Sequence, residues 1–309
     1  MRNWAILAGV FIWYAVTFGE VSLAQVARLR YPPEMPGAEV RVYKKVEHVE
    51  LKLYIYKPKD WKPTDRRSAI VFFFGGGWQG GSPAQFRPQC EYFASRGMVA
   101  MAADYRVGSR HKAKVADCVA DAKSTIRWVR QHAAELGVDP QKIVASGGSA
   151  GGHLAACTVM VPDLEAPDED HTISSQANAA ILFNPVLILS REGLSDRVPR
   201  QDLEERLRDR LGAEPKAVSP YHHIRAGLPP MIIFHGTADT TVPFQTIRLF
   251  AEAMKKAGNR CELVPFEGAG HGFFNFGRGD NSAYHRTLEL ADKFLVEIGF
   301  LVPRGQSER

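Results

Sequence analysis

Gly147-Gly148-Ser149-Ala150-Gly151 forms a G-x-S-x-G pattern between the apolar run 142–146 and the helical run 153–160. The pattern alone is weak, because small residues gather in any glycine-rich turn. A strand before it and a helix after it are the context that gives it meaning. A chain reversing so sharply forces strained angles on the serine, so its neighbours must be small. The turn lifts the hydroxyl clear of the sheet and sets it at a helix N-terminus. The alternative, a phosphate-binding turn, is disfavoured, since neither G-x-x-x-x-G-K-[ST] nor G-x-G-x-x-G is completed.

A serine hydroxyl is a poor nucleophile unless a base takes its proton. His271, in Gly270-His271-Gly272 directly after the apolar run 261–265, is the candidate base. An imidazole needs a partner that sets its tautomer and stabilises its cation. Asp239 follows the run 231–234 in His235-Gly236-Thr237-Ala238-Asp239 and fits that role. All three residues come after predicted strands, in the chain order serine, aspartate, histidine. Donors for a developing oxyanion are then required. Gly75-Gly76-Gly77-Trp78 follows the run 69–74, so the amides of Gly76 and Gly77, with that of Ala150, are the candidate oxyanion hole. Trp78 and Asn184 also follow strand ends and are candidates to touch substrate, with plain packing the alternative for both.

Eight strands and their helices must position these groups. Segments 39–48 and 50–57 read as strands, the second alternating Leu51, Leu53 and Ile55 with Lys52, Tyr54 and Tyr56. The run 69–74 is short and continuously apolar, as strands covered on both faces are, and 98–103, 142–146, 179–183, 231–234 and 261–265 are similar. Between them lie helical stripes, such as Val115, Val119, Ala122, Ile126 and Val129, and finally Tyr284, Leu288, Ala291, Leu295 and Ile298. Strand and helix in alternation after two early strands predict an α/β fold: a mostly parallel sheet of about eight strands with an antiparallel start and helices on both faces. Residues 25–309 form one domain, with a small insertion at about 186–228 over the sheet edge where ligands bind.

The residues Gly75-Gly76-Gly77-Trp78, Asp104-Tyr105-Arg106, Asp139-Pro140, Gly147–Gly152, His235-Gly236-x-x-Asp239 with Val242-Pro243, and Gly270-His271-Gly272 together resemble one family. They span roughly 69–275. The sequence resembles an α/β-hydrolase of the esterase/lipase branch, similar to hormone-sensitive-lipase-like carboxylesterases and feruloyl-esterase-type enzymes. That resemblance implies that Ser149 is the acylated nucleophile, His271 the general acid/base and Asp239 its orienter, with an oxyanion hole of Gly76, Gly77 and Ala150. Two departures stand out. Phe74 occupies the position of the first histidine of the His-Gly-Gly-Gly pattern, and too few residues precede the first strand for an N-terminal helical cap. The site is therefore expected to be open, roofed at most by part of 186–228.

Composition agrees with a globular chain. Of 309 residues, 45% are hydrophobic and 24% charged, which excludes a disordered chain and a polytopic membrane protein. The net charge of +5 is concentrated at 41–67 and lacks any zinc-finger, arginine-rich or RNP-type pattern, so nucleic acid is not an expected partner. Residues 1–24 read as a signal peptide: Arg2, the apolar stretch Trp4–Phe18, then Ser22-Leu23-Ala24 as a cleavage site. An uncleaved anchor is the alternative. Cleavage near Ala24 predicts a secreted or periplasmic protein with no stable membrane span.

In an oxidising compartment a disulfide is permitted. Cys90 and Cys118 each start a helix after a strand, which suggests a Cys90–Cys118 pairing; Cys157 and Cys261 read as buried thiols. No CxxC or H-E-x-x-H pattern exists, and adjacent His222 and His223 share a metal poorly, so no metal is expected. His153 is expected to point into packing, and Asp104, Asp117 and Asp121 to act as caps or ion pairs. The expected chemistry is acyl transfer to water without a cofactor, on a small-molecule or carbohydrate ester with a short acyl or aromatic group. A lipase for longer chains and a non-catalytic binding protein are the competing readings. Oligomeric state is not legible.

Overall fold

The early alternation does produce a hairpin. In the computed structural model, which describes residues 31–194 and 203–305, β1 (Glu39–Val46) and β2 (Val49–Tyr56) pair antiparallel from Val46–Val49 outward. The first strand stops short of its predicted end because Glu47 takes a φ of 51° to make the tight turn. The predicted signal peptide, residues 1–24, lies outside the described residues.

Each of the later runs becomes a strand: β3 (Arg67–Phe73), β4 (Val99–Ala103), β5 (Val138–Gly148), β6 (Ala179–Phe183), β7 (Met231–Gly236) and β8 (Cys261–Phe266), buried except for the start of β5 and most of β8, which lies at the end of the strand order. The spatial order is β1-β2-β4-β3-β5-β6-β7-β8, parallel from β4 onward. This is the predicted mostly parallel α/β sheet, in the α/β-hydrolase arrangement. The chain leaves β3 toward β4 on one side and returns across it to β5 on the other. That reversal opens a crevice at the C-terminal ends of β3 and β5, where ligands bind in open α/β sheets.

Among the described residues six helices are longer than two turns: α1 (Arg87–Ser95), α2 (Val115–Gln131), α3 (Ala150–Met160), α4 (Leu203–Leu211) in the insertion, α5 (Phe244–Lys256) and α6 (Ser282–Glu297). Alternate strand residues face two separate apolar cores. Ala69, Val71 and Phe73 meet Cys118 and Ile126 of α2, Leu154 of α3 and Phe250 of α5. Ile70 and Phe72 meet Cys90 and Phe93 of α1 and Phe294 of α6. The predicted Cys90–Cys118 disulfide is therefore wrong: the sheet separates the two residues, and both thiols are free and buried. Proximity to one sheet edge had suggested the pairing, but successive helices were laid on opposite faces. Cys157 and Cys261 are buried thiols, as expected.

Aspartates flanking the sheet are structural. Asp117 accepts from the Lys114 N–H at the start of α2 (2.8 Å), and Asp121 holds Arg106 and Lys44. Asp104 is buried against the Tyr31 hydroxyl (2.8 Å), and burial raises its carboxyl pKa to about 6.

Candidate active site

At the end of β5 the chain turns through Ser149, whose φ of 55° and ψ of −119° lie outside the ordinary regions for a side-chain-bearing residue. The turn is held by the Ser149 N–H to Phe183 O bond (2.9 Å) and by the His153 N–H to Ser149 O bond (3.0 Å). Glycine is required at 151, where a Cβ would overlap the carbonyl oxygens of Phe73 and Phe74. The strain is thus imposed by the close approach of β3 and α3, and it points the hydroxyl into the crevice.

The three predicted chemical groups meet there. Ser149 Oγ lies 2.9 Å from His271 Nε2, and His271 Nδ1 lies 2.7 Å from Asp239 Oδ2. The other oxygen of Asp239 accepts from the backbone N–H groups of Thr241 and Val242, both at 2.9 Å. A carboxylate so surrounded only accepts, so the imidazole proton sits on Nδ1 and leaves Nε2 to receive one. Burial pushes the Asp239 carboxyl up, but the hydrogen bonds from His271 and Val242 outweigh it and hold the pKa below the usual range. Behind the carboxylate lies fully buried His235. Its Nε2 is 3.4 Å from Asp239 Oδ2 and donates to Val242 O at 2.8 Å, and burial lowers its pKa, keeping it neutral.

The oxyanion candidates Gly76 and Gly77 line the same cavity, of about 530 Å³, as Ser149 and His271. Among the described residues their N–H groups take no partner, whereas the Gly76 carbonyl accepts from both Gln79 and Gly80. Those two bonds polarise the peptide whose N–H belongs to Gly77. Gly76 adopts a φ of 130°, and a Cβ there would overlap the Gly80 carbonyl. Ala150 supplies the first N–H of α3, a position with no intrahelical acceptor. Phe74 does not leave the loop unanchored. Its carbonyl accepts from the Tyr105 hydroxyl (2.8 Å) while its ring stacks on Tyr105 at 4.1 Å, and the next N–H, of Gly75, donates to Gln85 Oε1 (2.7 Å).

Trp78 and Asn184 part company. Trp78 is buried and turned away from the cavity: its indole N–H donates to His153 Nδ1 (3.2 Å), and His153 Nε2 donates to Val218 O (2.6 Å) in the insertion. Burial lowers the His153 pKa to about 4, so that ring is a neutral packing element, as expected. Trp78 thus takes the packing role that the sequence had left open. Asn184 does line the cavity, with its Oδ1 accepting from the Gly272 N–H (3.0 Å) and its Nδ2 3.5 Å from His271 Nε2. From the insertion, Arg210 of α4 donates to Gly77 O (2.7 Å), so part of 186–228 does reach the oxyanion loop.

Gln85, Asn275, Thr241 and Phe274 complete the walls and were not picked out from the sequence. Phe274, the one hydrophobic side chain among the described residues of that lining, stacks on Phe183 at 4.6 Å. A second, larger cavity of about 830 Å³ opens at the other edge of the sheet beside Tyr56, Arg67 and Leu301, remote from Ser149.

The BD-FAE family model matches residues 53–254, and that of the dienelactone hydrolase family matches residues 213–298. The chain is 33% identical over 233 residues, 71% of its length, to a probable isoprenylcysteine alpha-carbonyl methylesterase of Arabidopsis thaliana. It spans about half of that relative (48%), and 59% and 56% of the probable carboxylic ester hydrolase LipM and the esterase LipC of Mycobacterium tuberculosis. Among solved structures, Thermogutta terrifontis esterase 2 phosphonylated by sarin is 90% identical with a TM-score of 0.88, covering 89% of this chain and all of that one. A butyrate-bound structure of a thermophilic esterase from the same species is 91% identical with a TM-score of 0.86, covering 90% of this chain and 100% of its own. With 53–254 matched along β2 to α5, the strands and loops that carry Ser149, Asp239 and the oxyanion glycines, this chain belongs to the BD-FAE family.

Proposed function

We propose that the protein is an exported serine carboxylesterase that hydrolyses short-chain acyl or aromatic esters through an acyl-enzyme on Ser149. The observation that carries this reading is the chain Ser149 Oγ, His271 Nε2, His271 Nδ1, Asp239 Oδ2, at 2.9 and 2.7 Å, beside two amides in one cavity that take no partner among the described residues.

Ser149 Oγ adds to the ester carbonyl carbon as its proton passes to His271 Nε2. The carbonyl electron pair moves onto oxygen, where the amides of Gly76, Gly77 and Ala150 stabilise it. Collapse restores the carbonyl and breaks the bond to the alcohol oxygen, which takes the proton from Nε2. Water then repeats the sequence on the acyl-enzyme and releases the acid. Asp239 keeps the imidazole in the receptive tautomer and stabilises the cation.

A cavity of about 530 Å³ with Phe274 in its wall supports short acyl groups, as does the similar Thermogutta terrifontis esterase with butyrate bound. The sarin-phosphonylated structure supports a reactive nucleophile in that protein. Residues 1–24 are proposed as the signal peptide and 25–309 as the single exported domain. Ester decorations on carbohydrate are the proposed natural substrates, on the ground of the proposed export.

Hydrolysis of p-nitrophenyl acetate, butyrate, octanoate and palmitate by the wild type and Ser149→Ala tests the chemistry. Activity on the short esters, reduced in the variant by a factor of about 10³ or more, is the expected result. Preference for palmitate would overturn the short-chain reading, and folded protein inactive on all four would overturn the esterase reading.

A further inference from the structure

The oxyanion amides and His271 belong to strands that do not touch. Between β3 and β8 stand β5, β6 and β7. Four steps of about 4.8 Å separate them by about 19 Å at the sheet. The loop after β3 and the loop after β8 must arch back to Ser149, and no strand ladder sets the distance between them. Two neutral amide side chains span the gap instead. Gln85 Oε1 accepts from the Gly75 N–H at 2.7 Å, and Gln85 Nε2 donates to Asn275 Oδ1 at 3.0 Å. Asn275 Nδ2 then donates to Gly272 O at 2.8 Å, and the Gly272 N–H donates to Asn184 Oδ1 at 3.0 Å. Gly75 immediately precedes Gly76, and Gly272 immediately follows His271. The bridge therefore ends next to an oxyanion donor on one side and next to the base on the other.

We infer that Gln85 and Asn275 are positioning residues that hold the oxyanion loop in register with His271 and thereby set the rate of acyl transfer. The inference rests on the esterase reading above. Each residue must accept at one end and donate at the other, which an amide does and a carboxylate or ammonium does not. An amide also keeps its charge state at every pH at which the imidazole titrates, so the register does not change with the protonation of His271. Asn275 is buried and Gln85 half-buried in the cavity wall, shielding the bond between them. Misplacing a reacting group by about 1 Å costs on the order of 10²-fold in rate, which bounds the effect.

The test uses Gln85→Met, which keeps the side-chain length, Asn275→Ala and the double variant. For p-nitrophenyl butyrate, each single variant is expected to lower kcat by about 10–100-fold with KM within about twofold. Because one bond joins the pair, the double variant is expected to lose no more than the weaker single variant. Butylboronic acid supplies a second readout. Ser149 Oγ adds to boron as its proton passes to His271, giving a tetrahedral anion whose oxygen sits in the oxyanion hole. Its affinity is expected to fall by the same factor as kcat. Single variants within twofold of wild type, multiplicative losses in the double variant, or unchanged boronate affinity beside a reduced kcat would each overturn the inference. If Asn275→Ala does not fold, kcat and boronate affinity of Gln85→Met decide alone. A folded wild type with no esterase activity would overturn both readings, whereas an active wild type with unaffected variants overturns the bridge alone.

Discussion

Asp239 does more than sit beside His271, because its second oxygen is committed to the backbone of Thr241 and Val242. In Asp239→Asn the amide oxygen must face those two N–H groups, which leaves the NH₂ toward His271 Nδ1. The imidazole proton is then driven to Nε2, where it blocks transfer from Ser149. A kcat lower by about 10⁴ at neutral pH, with the fold intact, is the expected outcome of steady-state kinetics and circular dichroism. Trp78→Phe acts on stability instead. It strips the donor from His153 Nδ1 in a fully buried setting, and denaturant unfolding is expected to show a loss of about 1–3 kcal/mol. Serine, aspartate and histidine were legible in the sequence because their chemistry demands particular residue types beside small neighbours at strand ends. Gln85 and Asn275 were not: they are generic amides 190 positions apart, and only the folded loops make them partners.

Strands and helices were legible where the apolar runs were continuous or strictly periodic. The order of the strands was not, since every run between 69 and 183 reads alike and nothing in it says which side of β3 the next strand joins. The faces of the sheet were hidden for the same reason, and the mistaken cysteine pair followed. With the sheet between Cys90 and Cys118, reductant is expected to leave the melting temperature unchanged within about 1 °C. Alkylation of unfolded, unreduced protein is expected to label all four cysteines of the chain. A bound pair would appear as two missing adducts and a melting temperature several degrees lower in reductant.

Across the molecule as a whole, two buried ionisable groups pull the acid stability in opposite directions. His153 has its pKa lowered from 6.5 to about 4, so the unfolded chain binds the extra proton, and stability is lost as pH falls from about 6.5 to about 4. Asp104 has its pKa raised from 3.8 to about 6, so the folded chain binds the proton first, and stability is regained as pH falls from about 6 to about 4. Each shift corresponds to about 3 kcal/mol. Asp104→Asn removes the compensating term, and its urea midpoint is expected to fall more steeply than that of the wild type between pH 6 and pH 4. Equal slopes would mean that the Asp104 carboxyl is not raised. The position of β8 bears on how the protein is made. Among the described residues it is an edge strand paired with β7 alone, and His271 comes after it, 122 residues beyond Ser149. At about 5–20 residues per second, translation separates those two residues by about 6–24 s. During that interval the growing polypeptide carries the elbow, the glycine loop and finally the aspartate, but not His271, whose Nε2 faces the serine hydroxyl. On the proposed mechanism, chains that have not reached residue 271 lack their general base and are expected to leave the esters of the synthesising cell untouched.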